Sequence, residues 1–388
     1  ISLLINFANK QRLYLVCIFF SLILINFSYN IYQTIQFDQN LKKNFTDPKI
    51  KKNNVDIRDI QLVLYIGEST TTMNMGVYNY FRKTTPFLTS LDKNGKIIKF
   101  NKVFSNHTHS GPSIISSLIF IENDSEINNH IYNQKRISII DILKKFNIKT
   151  EITTYDNTHP IYKSLFKNAI VENDSESKVL PSGKIINYFD NISYDKNFKE
   201  KIIESRNKKL LIFHSYAGHG PYKNSLPEKF RIKVDNFFKN KNKKTIFGNA
   251  NVDIENVEDY DMAISYIDSN LNEVINDLNK TKFPKILIYF SDHGESVYTG
   301  RAHDSSRYIH EMSRVPLILY FNDAAKIKFQ RLYNIYNNSL NKNYPVTLGQ
   351  LPSTILDLFG IQLLKKNFLI PSKIGDNERN IEFPVLKK

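Results

Sequence analysis

The sequence predicts an α/β fold: a mostly parallel sheet flanked by helices, preceded by an N-terminal transmembrane helix. Three observations carry this. Short, nearly continuous apolar runs at residues 62–66, 209–215, 285–291 and 315–321 have the composition of parallel strands buried on both faces. Longer stretches with helical spacing, at 137–146, 260–278 and 348–359, are interspersed with them. Ahead of both lies the almost wholly apolar run LYLVCIFFSLILINF at residues 13–27.

The first element is that run. With SYNIY it extends to residue 32, giving about 20 residues, enough to span a bilayer. Lys10 and Arg12 precede it, so its start belongs in the cytoplasm and the rest of the chain outside. Tyr29 and Tyr32 suit the outer interface. No small-x-small cleavage site follows, which argues for a retained helix rather than a signal peptide. The opening ISLLINFA reads as the tail of an earlier span, and a chain starting at Ile1 rather than Met reads as a fragment or a processed form. Residues 1–32 are therefore expected to be a membrane segment, 33–60 a polar, Lys-rich tether, and 61–388 a catalytic domain. The stretch 236–251, rich in Asn and Lys, reads as a surface insertion, and Gly360 ends the late helix at 348–359.

Composition narrows the function. The 388 residues are 41% hydrophobic, enough for a sizeable core. The net charge of +15 is spread over scattered Lys, without the basic-aromatic runs or finger signatures of a nucleic-acid binder. An anionic membrane surface or lipid head group is the partner that charge would suit, although coding bias toward Lys, Asn and Ile produces the same excess. Cys17 is the only cysteine, so no disulfide framework and no thiolate metal site is available.

The candidate chemistry lies at strand ends, where open α/β sheets place their ligand sites. Glu68 follows the 62–66 strand, and Asp292 and His293 follow the 285–291 strand in SDHGES. In SNHTHSGPSIISSLIF, Ser110-Gly111-Pro112 reads as a helix start with Ser110 as its N-cap. A hydroxyl there sits where free amides and the helix dipole favour a phosphate. Zinc accepts this mixture of carboxylate and imidazole, so Glu68, Asp292 and His293 are the candidate ligands, with Ser110 oxygen in the fourth position. A metal-bound serine hydroxyl becomes a competent nucleophile toward phosphorus. His219 and His303 are left to bind phosphate, protonate a leaving group or hold a second zinc. Thr108, Ser69 and Thr70 are rival nucleophiles. His214 reads as structural, His107, His109 and His310 as solvated or supporting, and Arg82 and Lys83 as phosphate contacts or, more simply, solvated surface.

At these motifs a family resemblance emerges. GESTTTMNMGVYNYFRKTTPFL, HSYAGHGPY, YDMAISYIDSNLNEVINDL and SDHGESVYTGRAHDSSRYIHEMSRVPLILY stand in the order of the corresponding segments of phosphoethanolamine transferases that modify bacterial lipopolysaccharide. Those enzymes belong to the alkaline-phosphatase/sulfatase superfamily, and the likeness spans residues 61–360. It implies an alkaline-phosphatase/sulfatase-like fold on a bacterial inner-membrane enzyme with a periplasmic zinc domain. The implied reaction moves phosphoethanolamine from phosphatidylethanolamine, through a covalent phospho-enzyme, to lipopolysaccharide or another cell-envelope glycan. The implied roles are metal ligation for Glu68, Asp292 and His293, the nucleophile for Ser110, and donor phosphate or second metal for His219 and His303. The sequence departs from the family in placing Ser110 where it has Thr, Thr71 where it has Arg, and Ala217 where it has Gly. It also lacks the family's disulfides, and the stretch between His293 and His303 is shorter.

Three other functions are weighed against this. A sulfatase needs an Arg two residues after the Pro, where Ile114 stands. A phosphoglycerol transferase would use much the same metal site. A catalytically inert scaffold has no use for the complete set of Glu68, Ser110, Asp292 and His293.

Overall fold

The computed structural model describes residues 18–29, 43–46, 57–122, 135–154, 160–173, 196–204, 207–226, 252–338 and 342–361, with short pieces elsewhere. Seven strands form the central sheet: β1 (Gln61–Gly67), β2 (Ile98–Lys99), β3 (Lys149–Thr154), β4 (Ile170–Asn173), β5 (Lys209–His214), β6 (Lys285–Ser291) and β7 (Leu317–Phe321). Their order is β2-β7-β6-β1-β5-β3-β4. The five strands from β6 to β4 are parallel, with Gln61 opposite both Lys209 and Lys285.

The side-chain period of two sends alternate residues of each strand to opposite faces. Leu62, Leu64, Ile66, Ile286 and Ile288 pack on one face beneath α2 (Ser110–Leu118), α3 (Ile139–Lys145) and α5 (Leu351–Phe359). Val63, Tyr65, Leu287 and Tyr289 pack on the other, beneath α1 (Pro86–Lys93) and α4 (Ile254–Asn279). Both faces are covered, so the central strands read as continuous apolar runs.

One strand differs from expectation. The apolar run at 315–321 was expected to be parallel, but β7 lies antiparallel to β6, with Ile286 opposite Phe321, and β2 is antiparallel to β7. The loop from β6 to β7 carries two single-turn 3-10 helices, Ser305–Arg307 and His310–Met312, and no crossover helix. The chain therefore re-enters the sheet at the end it left, which forces the antiparallel direction. The sheet is mixed.

Helix boundaries also shift. The stretch expected as a helix at 137–146 begins as a strand, Arg136–Ser138, before Ser138 caps α3 by accepting from the Ile140 N–H (3.1 Å). The long helix starts at Ile254 rather than 260, capped by Asp253. In α5, Gly360 ends the helix at φ +82°, a conformation that suits glycine.

Part of the expected membrane helix at 13–32 lies outside the described residues. Within it, residues 18–29 are helical and expose apolar side chains such as Phe19 and Leu24. Among the described residues no helix is long and apolar enough to cross a membrane. Most of the 33–60 stretch and all of 236–251 are likewise outside them. Within 43–46, Phe45 is buried, its ring 4.6 Å from the guanidinium carbon of the fully buried Arg136.

Candidate metal centre and nucleophile

The C-terminal ends of β1 and β6 lie side by side, with Gly67 opposite Ser291. That register places Glu68 beside Asp292 and His293. The turn after β1 is tight: Ser69 sits at φ +52°, a conformation costly for a residue with a side chain and common at functional sites. The surroundings hold it there. Ser69 N–H donates to Asp292 Oδ1 (3.0 Å), Thr70 N–H to Ser291 Oγ (2.8 Å), and Tyr260 on α4 donates to the Ser69 carbonyl (2.6 Å).

Ser110 arrives from the first turn of α2. His109, rather than Ser110, is the N-cap residue, so Ser110 is the first helical residue. Ser113 in the same turn donates to the Asp292 carbonyl, tying the helix to the end of β6. The half-buried Ser110 hydroxyl lies 3.3 and 3.2 Å from the two Glu68 oxygens and 3.3 Å from His293 Nε2. His293 Nδ1–H donates to the Gly294 carbonyl (2.9 Å), which aims Nε2 at Glu68 Oε1 (3.4 Å) and Asp292 Oδ2 (3.7 Å). Such a bond to the far ring nitrogen is how proteins orient a ligating imidazole.

Glu68, Asp292 and His293 are all at most 1% exposed. Burial raises Glu68, but hydrogen bonds from His214 and His293 overcome it and hold the carboxyl well below its usual range. Burial and the Glu68 charge push Asp292 up. Burial also works against charge on His293, but Asp292 and Glu68 outweigh it and push the imidazole up to about 10. Asp292 Oδ1 is occupied by backbone amides, while the buried Oδ2 has no hydrogen-bond partner. Two buried carboxylates converging with the imidazoles of His293 and His214 offer the donor set of a cation site. The mixed oxygen and nitrogen donors fit zinc.

The structure thus brings Glu68, Ser110, Asp292 and His293 together. Thr108 is buried, and its hydroxyl has no partner and takes no part in the group. His214, read as structural, stands with Nε2 3.7 Å from Glu68 Oε2. One ligand atom each from Glu68, His214 and Asp292 lie within 4.8 Å of one another. The same holds for His293, Glu295 and His303. His303 sits at the edge of the group, its ring 4.7 Å from that of His293 and 5.3 Å from that of His109. Its Nδ1 meets Glu295 Oε2 at 3.1 Å, and the other oxygen of the buried Glu295 is unpartnered. Glu295 was missed in the sequence, although it stands in the same SDHGES motif. His219 stacks on Tyr216 (4.6 Å) and bonds Gly220 and Tyr216, rather than any of the four central residues. Arg82, read as solvated surface, is buried and pairs with Asp261 at 2.6 Å. His107 is buried as well.

The sulfatase family model matches residues 61–361. The chain belongs to the sulfatase family. Among its relatives in that family, the likeness to phosphoethanolamine transferases read from the motifs is borne out. Phosphoethanolamine transferase EptC of Escherichia coli O18:K1:H7 is 27% identical over 309 residues, 77% of this chain and 51% of that protein. The chain thus spans about half the length of the curated relatives it matches. The zinc complex of the C-terminal periplasmic domain of Escherichia coli EptC shares the sulfatase-family fold. The match has a TM-score of 0.63 at 22% identity and covers 82% of this chain and 96% of that one. The integral membrane protein lipooligosaccharide phosphoethanolamine transferase A of Neisseria meningitidis matches with a TM-score of 0.58 at 22% identity, covering 80% and 57%.

Proposed function

We propose that this chain carries the periplasmic catalytic domain of an inner-membrane, zinc-dependent phosphoethanolamine transferase. Phosphatidylethanolamine is the donor, and lipopolysaccharide or another envelope glycan the acceptor. The observation that carries this reading is the Ser110 hydroxyl, at a helix N-terminus and 3.2–3.3 Å from Glu68 and His293. The names of its relatives supply the transferred group, and the names of two neighbours supply the periplasm and the membrane.

Glu68, Asp292 and His293 would hold the zinc, with His214 beside Glu68. When bound, zinc lowers the pKa of a ligated hydroxyl and neutralises charge on phosphoryl oxygens. The chain's own residues carry the rest. The first turn of α2 offers free amides toward a phosphate. Ser110 Oγ forms a bond to phosphorus while the bond from phosphorus to the diacylglycerol oxygen breaks. Ser110 loses a proton and the leaving oxygen gains one. His303, a third exposed and held by Glu295, would carry it. In the second half the acceptor hydroxyl attacks phosphorus, the Ser110–phosphorus bond breaks, and the proton returns.

The test is intact and peptide mass spectrometry after incubation with phosphatidylethanolamine and zinc. A phosphoethanolamine adduct on the Ser110 peptide, absent in Ser110→Ala, is the expected result. An adduct from phosphatidylglycerol alone would mean phosphoglycerol transfer, and an adduct on Thr108 would move the nucleophile. No adduct from either donor in zinc-loaded protein would sink the transferase reading.

A further inference from the structure

A cleft of about 380 Å³ is lined in part by Thr72, Asn79, Tyr80, Phe81, Asn101 and Arg314. That volume suits a sugar-sized ligand. The cleft hangs on the two segments that build the centre. Thr72 is four residues past Glu68, at most about 14 Å of extended chain, and its N–H donates to the Arg314 carbonyl (3.2 Å). Arg314 follows Met312 by two residues, and the Met312 carbonyl accepts from the N–H of Gly294, next to His293 (2.9 Å).

Arg314 Nε is buried without a hydrogen-bond partner, and no ion pair forms at this guanidinium among the described residues. The neighbouring cations are already satisfied. Lys99, also in the cleft wall, meets Asp92 and the Val77 carbonyl at 2.8 Å each, and Arg82 meets Asp261. Arg314 is partly exposed, but its unbonded Nε–H is buried, so an incoming anion would satisfy a donor that water does not reach. A guanidinium fork fits phosphate or carboxylate in bidentate fashion. Beside it the rim is apolar: Phe81 is 52% exposed, with its ring held edge-on to Tyr80 at 4.5 Å, and Met73 is 41% exposed. Such side chains can pack against the apolar face of a sugar ring.

We propose that this cleft binds the anionic substituent, phosphate or carboxylate, of the acceptor saccharide, with Arg314 as the residue that takes the anion. Naming the ligand as the acceptor rests on the transferase reading; the anion site itself does not.

The experiment is isothermal titration of glucose 1-phosphate, glucuronate, glucose and inorganic phosphate into the zinc-loaded full chain, wild type and Arg314→Gln. Loss of a charge-assisted bidentate bond should weaken glucose 1-phosphate or glucuronate by about 10- to 100-fold. Glucose should bind both chains equally weakly. Arg314→Lys keeps the charge without the fork and should recover part of the affinity, which separates anion binding from a fold defect. Equal affinity of wild type and Arg314→Gln for both anionic sugars overturns the proposal. Inorganic phosphate bound as tightly as glucose 1-phosphate overturns the saccharide assignment. The Ser110 adduct on wild type tests the transferase reading separately: no adduct, with the Arg314-dependent preference retained, leaves the anion site standing.

Discussion

Gly218→Ala is the sharpest test of how the centre is held together. Gly218 sits at φ +111°, and a Cβ built there would lie 2.1 Å from the Glu68 carbonyl oxygen and 3.3 Å from its carbon. The obstacle is backbone, so no side-chain rotation relieves it. Restoring ordinary contact moves the loop or the Glu68 backbone by about 1 Å, a displacement that costs about 100-fold when it misplaces a reacting group. The unfavourable φ adds about 1–3 kcal/mol of destabilisation. Gly95→Ala is the control: Gly95 also has positive φ (+61°), but nothing lies within 4 Å of its Cβ. Adduct formation on Ser110, zinc content and thermal unfolding are measured for both. Gly218→Ala should lose zinc and about two orders of magnitude in rate, while Gly95→Ala should lose only stability. Wild-type rate and zinc content in Gly218→Ala would refute the view that this loop packs against the Glu68 turn to hold the ligand in place.

Three further outcomes follow from the geometry. Glu68→Ala and His293→Ala should each weaken zinc by at least about 10- to 100-fold, since even changes behind the ligands cost that much; chelator competition measures it, and unchanged affinity in both would remove them from the metal site. Glu295→Gln weakens the contact that orients His303 and should lower the rate about 10-fold while zinc at Glu68 stays bound; an unchanged rate would make Glu295 merely structural. Asp268 on α4 accepts from the Phe87 and Leu88 N–H groups at the start of α1. Burial outweighs those two bonds and pushes its carboxyl up to about 6. A raised folded pKa means its ionisation opposes folding, so stability should fall as pH rises from about 4 to about 6. Asp268→Asn should flatten that window in denaturant titrations, and an unchanged slope would contradict the assignment.

Much of this molecule was legible in the sequence, because burial leaves a local pattern. β1, β5 and β6 are apolar runs between polar turns, and Gly360 marks a helix end. Glu68, Asp292 and His293 follow directly from those runs, since a residue just past a parallel strand must stand at the sheet's ligand edge. Partners and directions were not legible. The run at β7 looks the same whichever way it points, and only the missing crossover after Ser291 reverses it. Arg82 reads as surface until Asp261, far along the chain, neutralises it. His214 and Glu295 join the centre because strands β1, β5 and β6 are neighbours and the loop after β6 folds back over their ends. That Arg314 Nε has no partner among the described residues is visible only once the nearby carboxylates have been assigned. The sequence by itself determined which apolar runs are buried strands and which residues reach the sheet edge, because periodicity encodes the burial of apolar side chains. Only the tertiary structure decided which charges meet, because pairing depends on distances between segments that no local pattern records.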